Sequence, residues 1–258
     1  MATRNKVVVS GSTVTVGQIQ DQFRKIGDGT IGFAEMQNFL DNPRKFSQNQ
    51  TTIVRAINIL GADKVITKDQ WAEAWRLSVP RYDTLIHYSE DVLRNCADSN
   101  KNHSTDFRLI YLHGYSLRGL QTEISMIQNQ PLCSNNNWWL HPDEDHWTLK
   151  KPDAKYYLID FSGVLPSISW DDQEKEIAKL GSYERAHEAS VSEAIITIFM
   201  ISGERLLENW SHWGPSLVKK RFRSCVGRFD EKGLQVDRYH PVGNYDDLHV
   251  CLLRKFDS

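Results

Sequence analysis

The chain has 258 residues, 40% of them hydrophobic and 25% charged, with a formal net charge of −2. That is an ordinary globular composition, with ample apolar material for one large core or two smaller ones. Near-neutral charge gives no global attraction to nucleic acid or to an acidic membrane surface. No apolar run approaches the roughly 20 residues that span a bilayer. Val7-Val8-Val9 is too short for a signal-peptide core, so a cytoplasmic protein is expected. Cys96, Cys133, Cys225 and Cys251 are scattered with no Cys-x-x-Cys pair, which reads as free buried thiols in a reducing compartment.

Residues 1–80 read as a helical N-terminal region. Thr15 and Gln18 form a capping-box pattern, Ile19, Phe23 and Ile26 follow at helical spacing, and Gly27-Asp-Gly29 ends the run. A second short helix covers about 33–40 and stops at Asn42-Pro43. Residues 51–60 predict a third helix. Thr67 and Gln70 repeat the capping box ahead of Trp71, Ala74 and Trp75. Such a region reads as a docking piece.

From 81 onward the pattern changes to strands mixed with helices. Thr84–His87 and Phe107–Leu112 predict short strands on either side of a helix near Asp91–Ala97. Residues 131–153 read as a long polar loop anchored by Trp138, Trp139 and Trp147, and Tyr156–Phe161 is a clear strand. Ser169 is a good N-cap for a helix to about Leu180. A second, central helix is expected from about Tyr183 to Ile201, apolar nearly all round toward its end and punctuated by Gly203. Arg223–Phe229 and Leu234–Tyr239 flank Asp230-Glu-Lys-Gly233, a hairpin signal, and Leu248–Arg254 is a last strand. Helices followed by an antiparallel meander indicate an α+β domain over 81–258.

Candidate metal and catalytic groupings read as structural. His141-Pro-Asp-Glu-Asp-His146 gathers possible ligands, but the proline and loop context offer no shared face to align them. Glu184, His187 and Glu188 lie on neighbouring turns of the expected helix, which also carries Glu193, yet no His-Glu-x-x-His pattern is present. No phosphate-cradling glycine loop and no Gly-x-Ser-x-Gly elbow occurs. The expectation is no catalytic residue, no metal and no cofactor.

Glu184-Arg-Ala-His-Glu188, Glu193-Ala194, Gly203 to Trp210, Val226-Gly-Arg-Phe-Asp230 with Gly233, and Leu253 to Phe256 carry a resemblance over roughly 155–258. The segment resembles the C-type-lectin fold, and more closely the variable proteins of diversity-generating retroelements and related bacterial proteins. The resemblance implies a solvent-facing platform of C-terminal strands and loops whose side chains are varied to change the ligand. Here that platform would comprise His212, Trp213, Ser216, Lys219, Arg221, Arg223, Arg228, Lys232, Gln235, Asp237, Tyr239, Tyr245 and Asp246. The Glu-Pro-Asn and Trp-Asn-Asp motifs of calcium-dependent sugar binding are missing, as is the His-x3-His-x-Glu motif of the related sulfoxide synthases.

The residues themselves agree in one respect. Positions 211–240 hold seven Lys/Arg against three Asp/Glu, interleaved with Trp213, Phe222, Phe229 and Tyr239. Arginine and aromatic side chains supply contact area and directional donors at interfaces. The leading expectation is therefore a non-enzymatic protein that binds a macromolecule, a protein first of all. Two alternatives stand beside it. One is nucleic-acid binding through Lys219-Lys-Arg-Phe-Arg223. The other is a formylglycine-generating type of metal-dependent oxidase using a metal near Cys225 or the histidines, although Cys225 and Cys251 themselves read as core thiols.

Overall fold

The computed structural model describes residues 8–9, 12–13, 51–80, 85–127 and 137–256. The helices expected over 15–26 and 33–40, together with Thr84 and Cys133, lie outside the described residues. The chain forms two compact units, 1–50 and 51–258. In the first, β1 (Val8–Val9) pairs antiparallel with β2 (Ser12–Thr13). Residues 51–80, expected to belong with the N-terminal helices, are part of the larger unit and contribute Trp71 and Trp75 to its core.

That larger unit is an α+β structure. Its elements run α1 (Ile53–Leu60), β3 (Val65–Ile66), α2 (Lys68–Ala74), α3 (Glu90–Lys101), β4 (Phe107–Leu112) and α4 (Leu117–Ile127). The one-turn helix α5 (Asp145–Thr148), β5 (Lys155–Val164), α6 (Trp170–Lys179), β6 (Tyr183–Arg185) and α7 (Glu188–Ser202) follow. Strands β7 (Ser211–Val218), β8 (Phe222–Asp230), β9 (Gly233–Tyr239) and β10 (Leu248–Arg254) complete the chain. One sheet joins β3-β4-β5-β10-β7-β8-β9 in that order, with β6 also on β10. Among the described residues no helix is long and apolar enough to cross a membrane.

Local chemistry explains several element ends. The Thr67 hydroxyl accepts from Gln70 N, and the Gln70 side chain accepts from Thr67 N at 2.9 Å, completing the expected capping box of α2. Ser169 caps α6 by accepting from Asp172 N. Gly203 ends α7 at φ 76°, a left-handed cap that glycine adopts without steric cost.

Four elements differ from expectation. Of the strand expected over Thr84–His87, the described residues form only an isolated bridge from Ile86 to Thr51. Tyr183–Arg185 is strand β6, paired with Leu252–Arg254, so α7 starts only at Glu188 with His187 as its N-cap. Ser211–Val218, for which no strand was expected, is β7. Asn137–Leu140 and Pro142–Glu144 form short 3-10 turns leading into α5, where a loop was expected. The reason lies in the core, since Trp139 and Trp147 are both buried and draw this segment onto it.

Helix α7 organises the core. Eleven consecutive residues from Glu188 to Ile198 are buried, and β4, buried along its whole length, lies within the same hydrophobic cluster. The buried Glu193 carboxylate accepts backbone N–H groups of His113 (2.6 Å), Gly114 (3.1 Å) and Tyr115 (2.9 Å), and the Trp71 indole at 3.0 Å. One turn on, the Thr197 hydroxyl accepts the Trp75 indole at 2.9 Å. Burial pushes Glu193 up to about 7, against the four N–H donors that favour its charged form.

A carboxyl raised in the folded state binds more protons there than in the unfolded chain between the two pKa values, so stability falls as pH rises through that window. The unfolding free energy from urea titrations should therefore drop by a few kcal/mol between about pH 4.5 and pH 7. Glu193→Gln should remove that slope while lowering stability at pH 5. A wild-type slope unchanged in the variant would show that Glu193 does not carry it.

Candidate recognition face

Strands β7, β8 and β9 form the antiparallel meander in which most of the expected platform residues reside. Arg223 pairs with Tyr239, Cys225 with Asp237 and Gly227 with Gln235, while Trp213 pairs with Cys225. Directly paired residues share a face of the pleat and alternate residues return to it. Arg223, Gln235, Asp237, Tyr239 and Trp213 therefore project from one face. Their opposite-facing neighbours, His212, Val226 and Val236, are buried on the other.

The outward face has its own small core. Trp213, Cys225 and Leu248 are buried, and Trp170, Tyr239 and Tyr245 pack on them half-buried. Tyr245 meets Trp213 edge-on at 5.8 Å and Tyr239 at 4.8 Å. Arg223 lies over Trp170 at 3.8 Å and donates to the Pro215 carbonyl at 2.8 Å. Arg185 reaches the same indole at 4.8 Å while bonding Glu174, Gln173 and the Trp213 carbonyl. Trp170 thereby contacts two guanidinium groups, and its ring and the Pro215 carbonyl together hold Arg223.

Beyond the face, Arg228 forms an ion pair with Asp247, and the Asp246 carboxylate accepts the Ser167 hydroxyl at 2.7 Å. Gly227 permits this end of the sheet to close. At its φ of 155°, a Cβ would stand 2.5 Å from both Ser211 Cα and the Trp210 carbonyl oxygen. Only glycine fits that approach.

The thirteen expected contact residues divide by position. Arg223, Gln235, Asp237, Tyr239 and Tyr245 are half-buried members of the face, and Arg228 and Asp246 are exposed at its edge. Lys219 and Arg221 are exposed on the β7–β8 turn, while Lys232 sits on the β8–β9 turn at the opposite end of β8. Three residues are not on the surface. Trp213 is fully buried as the floor of the face. His212 and Ser216 are buried as well, Ser216 within the irregular register between Trp213 and Leu217. The His212 ring accepts Cys251 N–H at Nδ1 and donates from Nε2 to the Ala186 carbonyl. Burial pushes its pKa down to about 3, so it is a neutral tie between α7's approach and β10.

The other chemistry-bearing groups are equally engaged. His187 accepts Ala189 N–H as the α7 cap, and the His146 ring contacts the Asp143 and Leu217 carbonyls at 3.0 Å each. Among the described residues, no group of three His, Cys, Asp or Glu is placed to hold a metal. Cys225 belongs to the small outer cluster and Cys251 to the main core. Burial raises both thiols well above their ordinary range, which keeps them protonated and poorly nucleophilic. Compared with protein-family models, curated proteins and solved structures, the chain has no match.

Trp213 as floor and Tyr239 as surface make separable predictions. Trp213→Ala should cost about 3–5 kcal/mol of unfolding free energy, the usual loss for a buried aromatic. Measured by thermal or urea unfolding, a cost below about 1 kcal/mol would place the indole outside the core.

Proposed function

We propose that the chain is a non-enzymatic ligand-binding protein that presents the β7–β8–β9 face to a macromolecular partner, a protein first of all. The observation that carries this reading is the common orientation of Arg223, Gln235, Asp237 and Tyr239 over a fixed floor of Trp213 and Trp170. Half-buried tyrosine and arginine on a rigid support are the groups that dominate interface energetics, because little freedom is lost when they are covered. Gln235 and Asp237 add directional polar contacts beside them.

A C-type-lectin-like arrangement of residues 155–258 is part of the same proposal. Its support is topological. The first strand of this half, β5, lies antiparallel to the terminal β10, helices α6 and α7 intervene, and the meander β7–β8–β9 extends from the other side of β10. The further step, that the outward side chains are diversified as in retroelement variable proteins, accords with their position. Gln235, Asp237 and Tyr239 face away from the main core, so their replacement leaves that core intact.

The test has two stages. A partner recovered on the immobilised full chain is identified, expressed and titrated calorimetrically against wild type and against Tyr239→Ala and Gln235→Ala. Each substitution should weaken binding at least tenfold while the melting temperature stays within a few degrees. Wild-type affinity in both variants would remove this face as the recognition surface. Failure to obtain any protein that titrates against the wild type would count against the proposal in the same way.

A further inference from the structure

A second surface stands apart from that face, at the β7–β8 turn. Lys219 and Lys220 occupy left-handed backbone positions, φ 46° and 61°, and the turn closes with Arg221 N donating to the Val218 carbonyl at 3.2 Å. All three cations are exposed. Lys101, Lys155, Lys175 and Lys179 each lie within 3.1 Å of an acid. Lys219, Lys220 and Arg221 form no ion pair among the described residues. Three cations concentrated on one turn without an ion-pair partner repel each other, a cost that an anionic ligand would relieve.

The turn is flanked by a ladder of alternating aromatic rings and guanidinium groups. Arg221 lies over Phe222 at 4.9 Å, and Arg238 lies over Phe222 at 5.8 Å and over Trp138 at 4.1 Å. His240 meets Phe222 edge-on at 5.9 Å, and Nη1 of Arg238 is buried without a hydrogen-bond partner. Two bonds fasten the 137–148 segment beside the turn. The Trp138 indole donates to the Val236 carbonyl at 3.2 Å, and the His146 ring contacts the Leu217 carbonyl at 3.0 Å. Between segment and turn is an open hollow lined by Asn137, Trp138, His141, Asp143 and Lys219 among others. An indole stacks on the flat face of a nucleobase, and an amide, an imidazole and a carboxylate hydrogen-bond to the donors and acceptors of its edge.

We propose that the β7–β8 turn and the Trp138 hollow together bind single-stranded nucleic acid, with phosphates on Lys219, Lys220 and Arg221 and a base beside Trp138. An extended backbone with splayed bases suits this layout. A flat ladder next to an electropositive turn is how sequence-tolerant single-strand binders combine stacking with phosphate contact. A duplex is disfavoured because its bases are stacked away from such a hollow. An acidic polypeptide would engage the cations without using the stacking groups, and that difference supplies the test. The inference does not rest on the β8–β9 recognition face, and neither Tyr239 nor Gln235 takes part in it.

The experiment is fluorescence anisotropy of the full chain with labelled 12-nucleotide single strands, RNA and DNA, at 50 and 200 mM KCl. Three phosphate contacts on a single strand predict that affinity falls about 20-fold over that fourfold rise in salt. The exposed-residue variant Lys219→Gln/Lys220→Gln/Arg221→Gln should lose at least tenfold in affinity at 50 mM and flatten the salt slope. Trp138→Ala should weaken binding severalfold or more while leaving the slope unchanged, since stacking releases no counterions. No anisotropy change at 50 mM with either strand overturns the proposal, as does a triple variant that binds like wild type. If Trp138→Ala has no effect and a labelled polyglutamate peptide binds as tightly as the strands, the patch is a site for acidic polypeptides and the nucleic-acid assignment fails.

Discussion

A single buried carboxylate sets the terms for the larger unit. Glu193 sits near the middle of α7, where an ionisable group is expensive unless its oxygens are satisfied. Its two oxygens take three consecutive backbone N–H groups just after β4 and the indole of Trp71 on α2. Four donors converging on one group fix the distances among helix, sheet and α2 at once. Apolar packing alone would leave α7 free to slide or rotate, because it is buried around almost its entire circumference from Glu188 to Ile198. The carboxylate supplies the register that hydrophobicity cannot, and Thr197 repeats the device one turn later with Trp75.

Once α7 is registered, the sheet behind it follows. His187 caps the helix, and the adjacent Ala186 is bound from both directions: its N–H reaches the Cys251 carbonyl and its carbonyl receives His212 Nε2. His212 in turn accepts Cys251 N–H, so the entry to α7, β7 and β10 meet around one neutral imidazole. These ties place β7 parallel to the start of β10, and the meander then extends outward from it. The outer face thus inherits its rigidity from polar groups that are out of sight on the inner one.

Much of this was legible in the sequence where the signal is local. The capping box at Thr67, the N-cap at Ser169, the glycine stop at Gly203 and the β8–β9 hairpin depend on neighbours a few residues apart, and each is present. The errors fall where distant partners decide. Tyr183–Arg185 continues a helical-looking run, yet the free edge of β10 takes it as a strand. In Ser211–Val218, the Gly214-Pro215 pair argues against a strand, but the bulge between Trp213 and Leu217 absorbs the proline and pairing resumes. The candidate face suffered a related loss. Composition singled out residues 211–240, but a histidine and a tryptophan adjacent in sequence point to opposite sides of a strand. Neither is exposed, and no count of cations and aromatics could reveal that.

Sorting those residues by face has a consequence for how recognition and stability are divided. Val226 and Val236 pair across β8 and β9 and are buried against the main core, whereas Cys225–Asp237 and Gly227–Gln235, one residue away on either side, belong to the outward face. A pleated sheet separates the two roles at a spacing of a single residue. The outward positions of β9 are half-buried side chains whose truncation removes contact area without opening an internal void. Trp213 and Cys225 lie beneath them as a layer that is shielded from ligand and from the main core alike. That intermediate layer lets surface chemistry change while the strand geometry is held from below. The β7–β8 turn lacks such a floor; of its cations Arg221 lies over Phe222, and beside it Arg238 of β9 lies over Trp138. The two surfaces thus rest on different supports, a buried aromatic layer under one and an arginine–aromatic ladder beside the other, and they meet at β9, where the Trp138 indole bonds the Val236 carbonyl between Gln235 and Asp237.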